Sequence, residues 1–228
     1  MRYPEVRRDE TVDVLHGEAI ADPYRWLEDG DSAETRAFID AQNAFAEPML
    51  AALPARAAFR ERLTALLEAP TRGCPWVRGG RVLAWHSDGQ NQPVLVVADS
   101  VDGLDGTGDA APRILLDPNA LSSDGTVAVT MASVSPDGAL LAYGAADGGS
   151  DWRTIRLRDV ETGEDLADEI PWTKWNSAVW LDDRSFTYWS YDAPSGDALT
   201  DEMGAGRLMA HTVGTPVADD VPIWSDPD

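Results

Sequence analysis

The sequence predicts a mainly β protein: an N-terminal helical segment followed by an incomplete β-propeller of about three four-stranded blades. Three observations carry this expectation. Residues Ser133 to Leu166 hold short apolar runs separated by turn residues. Pro136-Asp137-Gly138 introduces Leu140-Leu141-Ala142-Tyr143, Asp147-Gly148-Gly149 leads to the alternating run Trp152 to Leu157, and Thr162-Gly163 turns the chain again. Second, Ser177 to Tyr188 overlays Ala132 to Tyr143, with Asp182 beneath Asp137 and Tyr188 beneath Tyr143, an offset of 45 residues. Third, a fainter copy lies upstream, where Arg78-Gly79-Gly80-Arg81-Val82-Leu83-Ala84-Trp85 precedes a Ser-Asp-Gly turn and Pro93 to Ala98 follows. A lone meander cannot bury its apolar face, so copies of it imply stacked sheets. An antiparallel sandwich is the competing arrangement, but it does not require the recurring apolar-Asp-Gly or apolar-Asp-Asp phase.

Taken in order, residues 1–31 are turn-rich, with an aromatic knot at Ala21-Asp22-Pro23-Tyr24-Arg25-Trp26-Leu27-Glu28-Asp29. Asp31 followed by Glu34 has the form of a capping box, and Phe38, Ala41 and Phe45 then give one apolar helix face through about Ala46, with Pro48 expected to end or kink it. A second helix is expected from Ala55 to Glu68, with Phe59, Leu63 and Leu66 on its buried side. Pro70, Gly73 and Pro75 close it, placing a boundary between a helical segment, 1–72, and the sheets, 73–228. Beyond Trp76 no helix is expected. Two irregular stretches interrupt the strands: Val101 to Asp109, read as a flexible acidic loop without the spacing of a calcium-binding hand, and Ala193 to Ala205.

Composition narrows the classes. The chain has 228 residues, 43% hydrophobic and 25% charged, with nine Trp, which fits a globular protein with a large aromatic core. The formal charge is −22. Residues 1–72 hold nine basic and fourteen acidic residues; 73–228 hold nine and twenty-six, so the sheets carry most of the excess. Such a field disfavours nucleic acid and anionic lipid as partners. An acidic, solubilising surface accounts for it, as does adaptation to a salty cytoplasm. The single cysteine, Cys74, has no partner for an internal disulfide, and no run is long and apolar enough to cross a bilayer, so the cytoplasm is the expected compartment.

Tyr3-Pro4, Arg7-Arg8-Asp9-Glu10-Thr11, His16-Gly17 and Ala21 to Asp29 together resemble the N-terminal signature of the prolyl oligopeptidase family. Later segments resemble the first blades of the same family: Asp88-Gly89-Gln90-Asn91-Gln92, Leu116-Asp117-Pro118-Asn119, Leu121 to Thr126, Gly149-Ser150-Asp151-Trp152 and His211-Thr212-Val213-Gly214-Thr215. The resemblance runs collinearly along essentially the whole chain. It implies an α/β-hydrolase peptidase domain capped by a seven-bladed propeller that admits only short peptides, with cleavage after proline. On that pattern this chain is the N-terminal wrap plus about three of seven blades. The wrap would pack on a peptidase domain that lies, with the catalytic Ser, Asp and His, beyond the propeller. Short proline-containing peptides and that missing C-terminal domain are the implied partners. The resemblance also places Trp175, in Thr173-Lys174-Trp175-Asn176-Ser177, where a propeller aromatic faces the central cavity near bound peptide; the alternative is that Trp175 packs within a blade.

No catalytic residue is assigned within the chain. A serine nucleophile elbow needs Gly-x-Ser-x-Gly, which is absent; Gly148-Gly149-Ser150-Asp151-Trp152 lacks the last glycine and sits between strands. His16, His86 and His211 fall on different elements, Cys74 has no basic neighbours, and no cluster has metal-ligand spacing or forms a phosphate loop, so neither metal nor cofactor is expected. Two functions remain: the non-catalytic part of a proline-specific serine oligopeptidase, or a stand-alone all-β module that binds peptides or proteins.

Overall fold

The computed structural model describes residues 3–107, 111–175, 177–195 and 204–225. The chain divides into two compact units, residues 1–66 and 67–228.

The first unit opens with a hairpin of β1 (Val12–Leu15) and β2 (Glu18–Ala21). Its two-residue turn, His16-Gly17, has positive φ at both positions, as a hairpin turn twisted to match its strands requires. A 3-10 turn, Arg25–Glu28, precedes α1 (Ala33–Ala51) and α2 (Arg56–Leu67). The aromatic knot is real: the Trp26 ring meets Phe38 edge-on at 5.8 Å, the Arg7 guanidinium lies 5.0 Å over Trp26, and Arg25 bridges Asp13 and Asp22.

Three expectations for this unit are corrected. The cap of α1 is Ser32, whose hydroxyl accepts from the Thr35 amide at 3.1 Å, while Asp31 pairs with Arg36. Of the end or kink expected at Pro48, the end does not occur there: Pro48 sits in the last turn of α1, and the Ala52 amide still donates to its carbonyl. Most consequential, the stripe on α2 is present but bare. Phe59, Leu63 and Leu66 are 67%, 53% and 52% exposed, and α2 has no buried residue. The periodicity shows which face seeks a partner, but nothing described in this unit supplies one.

The second unit is three antiparallel sheets. In the first, β3 (Thr71–Arg72) and β4 (Trp76–Arg78) both pair with β5 (Arg81–Ser87), followed by β6 (Val94–Ala98) and, after α3 (Val101–Leu104), β7 (Arg113–Leu116). The second runs in simple order through β8 (Ala128–Val134), β9 (Leu140–Ala146), β10 (Arg153–Asp159) and β11 (Asp165–Thr173). The third repeats it with β12 (Val179–Trp180), β13 (Ser185–Ser190), β14 (Arg207–Thr212) and β15 (Val221–Ser225). Three successive antiparallel meanders, five-stranded in the first sheet, where β3 is added, and four-stranded in the second and third, with no closed barrel among the described residues, are blades of a partial β-propeller.

The middle blade is buried on both faces. From β9, Leu141 and Tyr143 join Leu83, Leu95, Leu115 and Leu116 of the first blade, whereas Ala142 joins Ile155, Ile170, Phe186 and Tyr188 between the second and third. This explains why β9 reads as a continuous apolar run, buried at every position but one. Each fully buried Leu, Ile or Phe contributes about 1.5–3 kcal/mol. The expected loop from Val101 is corrected over its first four residues. Ser100 caps α3 by accepting from the Gly103 amide, and Leu104 covers Val82, Ala84 and Val96 on the outer face of the first blade. Gly108 and Asp109 of that loop, and residues 196–203 of the second insertion, lie outside the described residues.

The 45-residue repeat has a physical content. Tyr143 donates its hydroxyl to Asp165 at 2.9 Å, and Tyr188 donates to Asp220 at 2.7 Å, in successive blades. Burial and the neighbouring Asp165 carboxylate push the Tyr143 hydroxyl up to about 12. In the tight turns, the Asp137 carboxylate accepts from the Ser135 hydroxyl and the Ala139 amide, and Asp182 accepts from the Arg184 and Ser185 amides. These bonds hold both carboxyls below their ordinary range.

The turns also stack from blade to blade. A Cβ placed on Gly79, whose φ is +52, would lie 1.8 Å from the Asp137 carbonyl oxygen, and the Asp137 amide donates to Asp183 in the third blade at 3.0 Å. Gly79→Ala should therefore cost about 2–4 kcal/mol in urea unfolding, since both the left-handed backbone and the contact are violated. Gly80→Asn, at φ +78 with open space around it, should stay within about 0.5 kcal/mol. Because the carboxyls of Asp137 and Asp182 titrate lower folded than unfolded, their stabilisation is complete above about pH 4 and lost as pH falls through the folded values. In D137N/D182N, whose amide oxygens still accept these bonds, the fall in melting temperature from about pH 5 to about pH 2 should be shallower than in the parent chain.

Candidate functional site

The innermost strands of the blades, β4, β8 and β12, face a shared cavity of about 640 Å³. Trp76, Arg78, Ser133, Val134, Val179 and Trp180 are among its walls. Trp180 is anchored there because its indole N–H donates to the Ser133 carbonyl at 3.2 Å, linking two blades. The stacked turns at Gly79 and Pro136 border the same cavity.

Because the strands are antiparallel, their connections fall on two rims. One carries the tight first turns just described. The other carries the β5–β6, β7–β8, β9–β10, β11–β12 and β13–β14 connections, and on it the aromatic side chains gather. Trp152 meets Trp172 edge-on at 5.5 Å and Tyr191 at 6.1 Å. The Tyr191 amide donates to the Trp172 carbonyl at 3.0 Å, tying the third blade to the end of β11. Lys174 lays its ammonium 4.1 Å from the Trp152 ring centroid and 5.5 Å from that of Trp175. Trp172 and Trp175 both have left-handed backbones, φ 58 and φ 45, uncommon for bulky residues and informative where they occur. Trp175 itself is 59% exposed and is absent from the buried clusters of the described residues.

A small cleft of about 240 Å³ beside this group is lined by Asp147, Ser150, Trp152, Arg153 and Trp172. Ser150 is a turn residue, its hydroxyl accepting from the Trp152 amide at 3.1 Å with no helix following, so it has none of the geometry of an activated nucleophile. Arg153 Nε is buried without a hydrogen-bond partner among the described residues.

The histidines lie apart. His16 occupies the hairpin turn of the first unit, and His86 is on β5, where burial holds its imidazole below the ordinary range. His211, on β14, is fully buried between two carboxylates: its Nδ1 lies 2.7 Å from Asp220 and its Nε2 3.0 Å from Asp168, which also accepts from the Gly214 amide at 2.6 Å. Asp168 belongs to the second blade, so this cluster is a polar rivet between blades. It has no opening to substrate, since all three side chains are at most 4% exposed. Cys74 is exposed. Among the described residues no group of three His, Cys, Asp or Glu is placed to hold a metal ion, and no helix is long and apolar enough to cross a membrane.

The sequence reading singled out Trp175 and missed its setting. Lys174, Trp152, Trp172 and Tyr191 come from three connections far apart in the chain. The available signal was that Lys174 is the only lysine, set two residues after Trp172 and beside Trp175.

Comparison with known proteins agrees with this architecture along nearly the whole chain. The family described as "Prolyl oligopeptidase, N-terminal beta-propeller domain" matches residues 4–228. The prolyl endopeptidase of Elizabethkingia miricola is 30% identical over 222 residues, which are 96% of this chain and 30% of that protein. A solved prolyl endopeptidase structure superimposes with a TM-score of 0.83 at 31% identity, over 98% of this chain and 32% of its own. Prolyl oligopeptidase B from Galerina marginata, solved bound to a 35mer hydrolysis and macrocyclization substrate, superimposes with a TM-score of 0.81 at 25% identity, over 98% of this chain and 34% of its own. The chain thus spans about 30% of the length of the curated relative. With its three propeller blades and a family match over all but the first three residues, the chain belongs to the prolyl oligopeptidase family, as that family's N-terminal propeller region.

Proposed function

We propose that this chain is the non-catalytic part of a serine peptidase that hydrolyses oligopeptides after proline, its blades roofing the active site and limiting access to short peptides. The observation that carries this reading is Trp175, a large, rigid ring presented to solvent on the aromatic rim by a left-handed backbone. Such a side chain contributes contact area to a peptide at low entropic cost. The relatives bear on the chemistry: one is a prolyl endopeptidase and another was solved with a peptide substrate bound.

Residues 1–72 form, in this proposal, the segment that packs on the α/β-hydrolase domain. The bare face of α2, Phe59, Leu63 and Leu66, supports it, because an amphipathic helix with no buried residue needs a partner surface. Residues 73–228 form the propeller part, and Val221, Ile223 and Trp224 of β15 offer the apolar surface on which a further blade would stack. The same two exposed faces favour a component of a larger enzyme over a stand-alone binding module. The short proline-containing peptide is the proposed substrate and the catalytic domain the proposed partner, with neither nucleic acid nor membrane engaged. The cytoplasm suits a chain whose one cysteine is exposed and unpaired.

The test is a chimera in which residues 1–228 replace the corresponding region of the Elizabethkingia miricola prolyl endopeptidase. It should cleave a chromogenic Gly-Pro peptide, whereas the isolated chain should not; hydrolysis by the isolated chain at a rate near that of the chimera overturns the proposal. In the chimera, Trp175→Ala should raise KM about three- to ten-fold with little change in kcat, the signature of lost uniform binding. Phe59→Asp/Leu63→Asp should abolish soluble assembly of the chimera while leaving the circular dichroism of isolated 1–228 intact, because both side chains already face water there.

A further inference from the structure

Lys174 is the only lysine of the chain; the other seventeen basic residues are arginine. It stands on the β11–β12 connection between two tryptophans that both have left-handed backbones. Its ammonium lies over two indoles at once, 4.1 Å from the Trp152 centroid and 5.5 Å from that of Trp175. The two rings differ in freedom. Trp152 is held edge-on by Trp172 and Tyr191, and Tyr191 is itself tied to Trp172 by a backbone hydrogen bond. Trp175 has no ring contact with the group and is mostly in water.

We propose that Lys174 is a positioning residue: it bridges the fixed Trp152 ring to the exposed Trp175 ring and so sets the direction in which Trp175 meets a peptide. Tryptophan is the strongest cation–π partner among the side chains. A compact ammonium on a flexible stem serves two ring faces, whereas a planar guanidinium stacks best on one. This inference rests on the reading of Trp175 as a peptide contact, and its experiments separate the two.

A single lysine makes the bridge directly observable. Reductive methylation with isotope-labelled formaldehyde keeps the positive charge and yields one dimethyl-lysine signal besides that of the terminal amine. In folded 1–228 this signal should lie upfield of dimethyl-lysine in a free peptide, shifted by the currents of two indoles. Trp152→Ala and Trp175→Ala should each move it part of the way back. In Lys174→Met, the Trp175 indole N–H resonance should shift and its heteronuclear NOE fall, with melting temperature unchanged; Lys174→Arg should lie between Lys174→Met and the parent. In the chimera, Lys174→Met should raise KM about three- to ten-fold with kcat held, through Trp175, so adding it to Trp175→Ala should produce no further change. A dimethyl-lysine signal at the free-peptide position, or a Trp175 resonance that ignores Lys174→Met, overturns the proposal. If Trp175→Ala leaves KM untouched while the ring shifts are as stated, the peptide contact is wrong and the bridge stands.

Discussion

Every feature of the sheet unit depends on the fact that no blade can bury its own faces. A four-stranded meander has two sides, and in the middle blade both are apolar, so β9 carries Leu141 and Tyr143 toward one neighbour and Ala142 toward the other. Stacking satisfies the sides but does not fix the spacing between sheets. That is done by contacts that tolerate almost no displacement: Gly79 against Asp137, the Asp137 amide on Asp183, and the His211 rivet to Asp168. Apolar burial supplies the driving force, and these polar and steric contacts select one geometry from the many that burial alone would allow.

Much of this was legible beforehand because it is periodic. The offset between Tyr143 and Tyr188 locates two equivalent buried tyrosines, each bonded to an aspartate, and Asp137 and Asp182 locate two equivalent turns. What stayed hidden is what depends on contacts distant in sequence. Asp165 and Asp220 are not 45 residues apart, so the partners of the tyrosines could not be paired by repeat arithmetic. The helical turn at Val101 exists because Leu104 covers the first blade, a reason outside the segment itself. On α2 the pattern gave the right stripe and the wrong environment, since periodicity reports which residues are alike in polarity and says nothing of whether a partner is present.

The candidate site follows the same division. Trp175 was reached through resemblance to a family, and its ring is mostly exposed. The side chains around it arrive from the β9–β10, β11–β12 and β13–β14 connections, which no local pattern brings together. Loops of irregular length carry the chemistry, and regular strands hold them at fixed separation.

That arrangement has a consequence for how the molecule tolerates change. The rim of stacked first turns, where even a methyl group at Gly79 collides with the neighbouring backbone, works as a collar that sets the pitch between blades. On the opposite rim the described blade-to-blade backbone tie is the hydrogen bond from the Tyr191 amide to the Trp172 carbonyl, and the other contacts described there are between side chains, so segments away from that tie can lengthen, shorten or alter residue by residue while the collar keeps its shape. Rigidity and adaptability are thereby segregated to the two ends of one sheet stack, and the recognition properties of such a domain can drift without loosening its frame.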